Sequence, residues 1–273
     1  MIKLSNDCAF NSTDVFECGQ CFRWNCDENG VYTGITGGKV CRVKDREIVC
    51  KDEDNEYFKE YFALNTDYKK ICDSLLEIDK KLVPCIEFGG GIRILKQDIW
   101  ETIVSFIISA NNNIPRIKKI IEGMCRLFGE KIEDGGETFY AFPTPERLAK
   151  ASLEELAPLK AGYRDKYILD AATKVATGEV CLDELIHMPD EEAKKTLMKI
   201  KGIGGKVADC IMLFSLGRFS VFPVDVWIKR IITDVYGVED KNIKTFVDEK
   251  YGELSGYAQQ YLYYYYRSKG ERQ

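Results

Sequence analysis

Four residues, Gly202-Ile203-Gly204-Gly205, constrain this chain more than any other stretch. They stand between two runs of helical periodicity. Leu197 and Ile200 read as the inner face of a short helix before them, and Val207, Ile211 and Phe214 as the inner face of a helix after them. Glycine tolerates positive φ and lets another backbone approach closely. The run therefore reads as helix, glycine hairpin, helix. The amides of Gly202, Gly204 and Gly205, with the N-terminus of the second helix, form a seat for one phosphate.

Two nucleotide-binding loops are excluded. A P-loop needs a glycine where Ile200 stands and a Ser or Thr where Val207 stands. A dinucleotide fingerprint needs a third glycine and a preceding strand, and neither is present. Lys206 closes the hairpin at a helix start. Nineteen residues later Asp225, in Phe222-Pro223-Val224-Asp225-Val226, is placed to cap the run VWIKRIITDVY. Taken separately, a lysine after a glycine turn is a solvated surface residue and an aspartate before a helix is only a cap. In this order and spacing they can face one pocket.

Membrane and secretory classes receive no support. No run approaches the roughly 18 apolar residues of a membrane span, and MIKLSNDCAFNSTD lacks the apolar core of a signal peptide. The expected location is intracellular, cytoplasmic and nucleoid-associated if the source is prokaryotic. Eleven cysteines, an odd number at scattered spacings, read as reduced thiols. Cys18, Cys21 and Cys26 lack a fourth ligand nearby, the single histidine is His187, and no metal is assigned. The net charge of −5 rules out a nonspecific basic coat for nucleic acid. Of 39 basic and 44 acidic residues, 13 and 17 fall within the first 95, leaving 26 and 27 beyond. Any DNA contact must rest on local placement of helix N-termini, hairpin amides and a few arginines.

Between turn signals at Asp27-Glu28-Asn29-Gly30, Gly37-Gly38 and Lys44-Asp45, the segments VYTGI, KVCRV and EIVCK alternate in the strand period. They predict an antiparallel meander. From Asn55 the period turns helical, and Gly89-Gly90-Gly91 reads as a hinge. Beyond it the pattern predicts only helices: from Asp98 towards Asn111, from Ile114 to about Gly129, and over 163–177, 190–200, 206–216, 225–236, 242–251 and 254–268. The fold class is α+β, with an N-terminal antiparallel sheet domain over 1–91 and a larger all-helical domain over 92–273.

GKVADC followed by PVDV resembles the HhH-GPD superfamily of DNA glycosylases, in its eukaryotic-type 8-oxoguanine branch. CGQCFRWN, GIRILKQD, SFIISANNNIPRI, AGYRDKY and GYAQQYLYYY fall in that branch's order, so the likeness runs from about Phe16 onward. It implies Lys206 as nucleophile and Asp225 as catalytic carboxylate. Around the damaged base it implies the Gly19 carbonyl against the N7 proton, Gln259 on the Watson–Crick edge, and Cys210 and Tyr263 as a sandwich. Asn111 would fill the gap in the stack, Arg116 and Arg164 would read the opposite cytosine, and Tyr163 would wedge beside it. Tyr263 stands where the family commonly has phenylalanine, and Trp227 where it commonly has histidine. Three successive amides, Asn111 to Asn113, cannot all be core; the ordinary alternative for them is a helix C-cap.

The implied reaction is excision of 8-oxoguanine from duplex DNA opposite cytosine through a lysine Schiff base, with AP-lyase activity. It requires no metal or cofactor. The partner is double-stranded DNA; no membrane or obligate protein partner is implied, and the chain reads as a monomer. Attack by Lys206 needs a neutral amine, which burial and the helix N-terminus are expected to favour. The alternatives are a non-catalytic helix-hairpin-helix DNA-binding protein, which has no use for Asp225 or Gln259, and an HhH-GPD glycosylase for another damaged base, which typically lacks the hairpin lysine.

Overall fold

Turn chemistry sets the N-terminal sheet. In the computed structural model, which describes residues 1–270, Gly30, Gly37, Gly38 and Asp45 all take positive φ, and the chain reverses at each of those turns. Strands β1 (Ile2–Lys3), β2 (Trp24–Cys26), β3 (Tyr32–Thr36), β4 (Lys39–Lys44) and β5 (Glu47–Val49) form one antiparallel sheet in the order β1-β5-β4-β3-β2. The meander appears as expected, with the short flanking strands β1 and β2 added. Trp24 pairs with Gly34, and a Cβ on Gly34 would lie 2.3 Å from the indole, so only glycine admits the ring. Trp24 stacks on Phe16 with centroids 4.1 Å apart, and its Nε1 donates to the Tyr61 hydroxyl at 2.9 Å. This small core lies between the sheet and helices α1 (Ser12–Glu17) and α2 (Asn55–Tyr61).

Helices α3 (Tyr68–Ile78) and α4 (Val83–Phe88) bury Leu75 and Cys85 in the larger core instead. The glycine run after α4 is a packed crossing rather than an open hinge. The Asn11 amide donates to the Gly91 carbonyl at 3.1 Å, and a Cβ on Gly91 would lie 2.2 Å from that of Asn11.

Helix α5 (Ile99–Ser109), capped by Asp98, runs through the larger core with every residue from Thr102 to Ile108 buried. Around it lie α6 (Ile114–Phe128), α7 (Pro145–Ala149), α8 (Leu153–Leu156), α9 (Arg164–Ala176), α10 (Leu182–His187), α11 (Asp190–Leu197), α12 (Gly205–Ser215), α13 (Val226–Tyr236), α14 (Ile243–Tyr251) and α15 (Ser255–Gly270). The expectation of helices alone fails once. Strands β6 (Lys131–Asp134) and β7 (Glu137–Tyr140) form a hairpin about Gly135 and Gly136, both at positive φ. Arg42 of β4 ties it to the sheet, its Nη2 lying 2.8 Å from the Glu137 carboxylate.

The segment between α1 and β2 straddles both cores. Phe16, Cys21 and Trp24 belong to the small one, and Cys18 and Phe22 to the large one. That weave holds Gly19 at the junction, facing the helical half.

Candidate active site and nucleic-acid interface

Helix α12 begins as the glycine pattern requires. Gly202 has φ +87, and a Cβ there would lie 2.4 Å from the Tyr167 ring, so the turn needs glycine for conformation and for space. Gly204 occupies the N-cap position without a side-chain cap, and neither Gly204 nor Gly205 is crowded. Their amides are left for a ligand such as phosphate. Lys206 follows on the first turn of α12.

A cleft of about 570 Å³ opens beside it, lined by Gly19, Asn111, Lys206, Asp225, Trp227 and Tyr263. Behind the cleft lies a second cavity of only about 40 Å³, where Lys206 and Asp225 meet Gly19, Cys210, Gln259 and Tyr263. Every residue assigned by resemblance to the reaction or to the damaged base therefore lines one small space, although the six come from four separate parts of the chain. Asp225 caps α13, its Oδ1 accepting from the Ile228 amide at 2.8 Å. Being a cap and facing the cavity are compatible, since the other carboxylate oxygen is left over.

Lys206 is exposed as a residue, because its stem lines the open cleft, yet its amine sits among protein atoms, with Nζ 5.8 Å from the Phe106 ring centroid. Burial pushes the amine down, but Cys210, Asp225 and Tyr263 together push it up further, so the net shift is upward. The net direction is opposite to the downward shift expected from burial and the helix N-terminus. Burial also pushes the Cys210 thiol up to about 11.

Gln259 is 5% exposed. Its Nε2 donates to the Pro223 carbonyl at 3.3 Å, and its buried Oε1 has no hydrogen-bond partner among the described residues. A buried acceptor left unpaired costs stability unless a ligand fills it. Two glutamines that sequence reasoning passed over hold the Gly19 loop. Gln20, fully buried, donates to the carbonyls of Val15 and Arg93 and accepts from the Leu95 amide, and Gln260 of α15 donates to the Cys18 carbonyl at 2.7 Å. Both lay inside CGQCFRWN and GYAQQYLYYY; a polar residue at an apolar-periodic position was the available signal.

The three asparagines divide their work. Asn112 closes α5 by donating to the Ile108 carbonyl at 3.1 Å, and Asn113 caps α6 by accepting from the Arg116 amide at 3.0 Å. Asn111 is exposed at the cleft with φ +50 and makes no side-chain hydrogen bond among the described residues. The C-cap reading holds for Asn112 alone; Asn113 is the N-cap of the following helix instead.

Arg164 is buried. Its guanidinium donates to the carbonyls of Ala110, Asn111 and Ala161 and lies 4.5 Å from the Tyr163 ring centroid. In the DNA-free chain it fixes the Asn111 turn rather than presenting free donors. Arg116 is exposed, with one donor on the Lys160 carbonyl at 3.0 Å. Tyr163 is 51% exposed and packs edge-on against Tyr167, the residue beneath the hairpin. Trp227 lines the cleft and lies against α15 at Gly270.

Residues 2–103 match the family described as 8-oxoguanine DNA glycosylase, N-terminal domain, and residues 104–254 the HhH-GPD superfamily base excision DNA repair proteins. An N-glycosylase/DNA lyase of Saccharomyces cerevisiae is 32% identical, over 88% of this chain and 72% of its own. A probable N-glycosylase/DNA lyase of Methanothermobacter thermautotrophicus is 33% identical, over 70% of this chain and 69% of its own. The Clostridium acetobutylicum 8-oxoguanine glycosylase/lyase, solved with double-stranded DNA containing cytosine opposite 8-oxoguanine, superposes with a TM-score of 0.91 at 41% identity, covering 99% of this chain and 98% of that one.

Proposed function

The chain belongs to the HhH-GPD superfamily of base excision DNA repair proteins, and from that premise we infer that it excises 8-oxoguanine from duplex DNA and cleaves the strand at the abasic site it creates. The observation that carries the reading is the unpaired Oε1 of Gln259, buried beside Lys206, Asp225 and Gly19. The Watson–Crick edge of a guanine-type base offers N–H donors that satisfy it. The Gly19 carbonyl accepts from N7–H, a proton that 8-oxoguanine carries and guanine lacks. A site built to accept that proton rejects the base without it far more strongly than an apolar pocket could.

The base leaves the stack before it is reached. The 40 Å³ cavity holds little more than a water molecule, so the Tyr263 ring moves off Gly19 as the base enters between it and Cys210. DNA strips the remaining water from the cleft, which favours the neutral Lys206 amine, its proton passing to solvent as the cleft closes so that Asp225 stays a carboxylate. The amine attacks C1′ as the glycosidic bond breaks and the base departs with the bonding electrons. Asp225 stabilises the positive charge developing on the sugar. Ring opening gives a Schiff base on Lys206; loss of a C2′ proton then expels the 3′-phosphate, which cleaves the strand.

On the other side of the cleft, Asn111 takes the place of the extruded base. Arg116 and Arg164 donate to the O2 and N3 acceptors of the opposite cytosine, Arg164 exchanging its backbone carbonyls for the base. The enzyme works where the genome is, inside the cell. The test is borohydride trapping on a duplex carrying 8-oxoguanine opposite cytosine, with the undamaged duplex as control. A stable protein–DNA adduct with the damaged duplex alone is expected; binding without base release or trapping would leave a non-catalytic helix-hairpin-helix protein.

A further inference from the structure

Helix α15 sends three residues, four apart, to the same place: Gln259, Tyr263 and Arg267. Residues at that spacing share one helix face. Gln259 and Tyr263 line the small cavity, and Arg267, one turn further on, approaches Gly19, which also lines it. Its Nη1 lies 3.2 Å from where a Cβ on Gly19 would stand, and the Tyr263 ring edge 3.1 Å from that point. The guanidinium carbon is 5.7 Å from the Tyr263 ring centroid, and its positive charge acts on the Tyr263 hydroxyl.

We propose that Arg267 is a specificity-determining residue that donates a hydrogen bond to O8 of the extruded base while the Gly19 carbonyl accepts from N7–H. The proposal rests on the base-pocket reading above and deepens it. 8-Oxoguanine differs from guanine at two adjacent atoms: N7 gains a donor proton and C8 gains an acceptor oxygen. The Gly19 carbonyl can read only the first. Guanidinium donates and never accepts, so it matches the second. With the carbonyl on the N7 side, Arg267 meets the C8 side, where guanine carries only C–H. The arrangement also accounts for Tyr263 standing where phenylalanine is common. Its hydroxyl adds a polar neighbour for the guanidinium on the Gly19 side of the ring.

The experiment compares single-turnover release of 8-oxoguanine with cleavage of a preformed abasic site in the same duplex, for wild type, Arg267→Leu, Arg267→Lys and Tyr263→Phe. The abasic substrate has no O8 but needs the same strand path and the same Lys206. Arg267→Leu is expected to lower base release about ten- to a hundredfold more than abasic-site cleavage, the worth of one hydrogen bond from a charged donor. Arg267→Lys should recover part of that loss, and Tyr263→Phe should fall between lysine variant and wild type. Equal losses in the two reactions would place Arg267 on the backbone or in packing and overturn the proposal, as would an unchanged ratio. Should Arg267→Leu fail to fold, Arg267→Met, which likewise has no donor, decides instead, since a ratio equal to wild type's would refute an O8 contact. Failure of the wild type to release 8-oxoguanine, by contrast, would overturn the function itself and this inference with it.

Discussion

Lys206 shows what one residue reveals in sequence and what it withholds. Its identity and its place at a helix start were legible from the glycine turn, and its partner Asp225 from the cap position. Its charge state was not. Burial does act in the expected direction, but Cys210 lies one turn along α12, and Asp225 and Tyr263 face it from α13 and α15. No spacing rule announces that three such groups converge. The resting ammonium means that Lys206→Gln removes a positive charge as well as a nucleophile. That variant is expected to bind damaged duplex within a fewfold of wild type and to lose base release and borohydride trapping altogether. Base release at the wild-type rate would remove Lys206 from the chemistry. Gln259 was legible only through resemblance; the unpaired oxygen that supports its role is a property of packing.

Among the elements, helices with caps were legible and brief strands were not. Asp98, Thr144 and Asp225 each accept a backbone amide at the start of a helix, as their positions suggest, and so does Asn113, where only a C-cap was expected. The β6–β7 hairpin escaped because four residues give only two periods of alternation, though Asp134-Gly135-Gly136-Glu137 carried a turn signal. The link between α5 and α6 is an element in its own right. Asn111 holds a left-handed backbone because Arg164 bonds the carbonyls on both sides of that peptide. Arg164→Ala should therefore cost stability, by about 1–3 kcal/mol for buried carbonyls left unpaired. It should also erase any preference for cytosine opposite the lesion. Excision opposite all four bases, with thermal unfolding alongside, separates the two effects; intact cytosine preference would confine Arg164 to scaffolding. At the start of α5, Glu101 is largely buried, 3.6 Å from Arg23, and burial raises its carboxyl to about 7. The fold binds this proton more tightly than the unfolded chain does. The stabilisation is complete below about pH 4.5 and is lost as pH rises through 7. A pKa unit is worth about 1.4 kcal/mol, so the effect is on the order of 1–3 kcal/mol. Glu101→Gln should lose less stability than wild type between pH 5.5 and pH 8; parallel unfolding curves would refute the assignment.

At the scale of the whole molecule, an acidic chain has to hold a polyanion. Net charge decides little here, because the gain on binding comes from phosphates neutralised locally and counterions released, not from the protein's total. What matters is which cations are left unpaired. Several exposed lysines are spent on carboxylates, as Lys3 is on Glu47 and Lys241 on Glu239. Lys119 and Lys160 are exposed and form no ion pair among the described residues. They flank Arg116 along a groove of about 650 Å³ between α6 and the turn before α9. Composition could not point to them, since their pairing depends on which acids fold nearby. Binding should therefore weaken steeply with salt despite the net charge of −5. Replacing both lysines with glutamine should weaken damaged and undamaged duplex alike and reduce the slope of log K against log salt by up to about 2, close to 0.9 per lost phosphate contact. Base release measured with enzyme in saturating excess should stay within a few fold of wild type, because neither lysine reaches the cavity. A salt slope unchanged by the double substitution would take the duplex off this groove, and a flat dependence in the wild type would argue against a duplex substrate altogether.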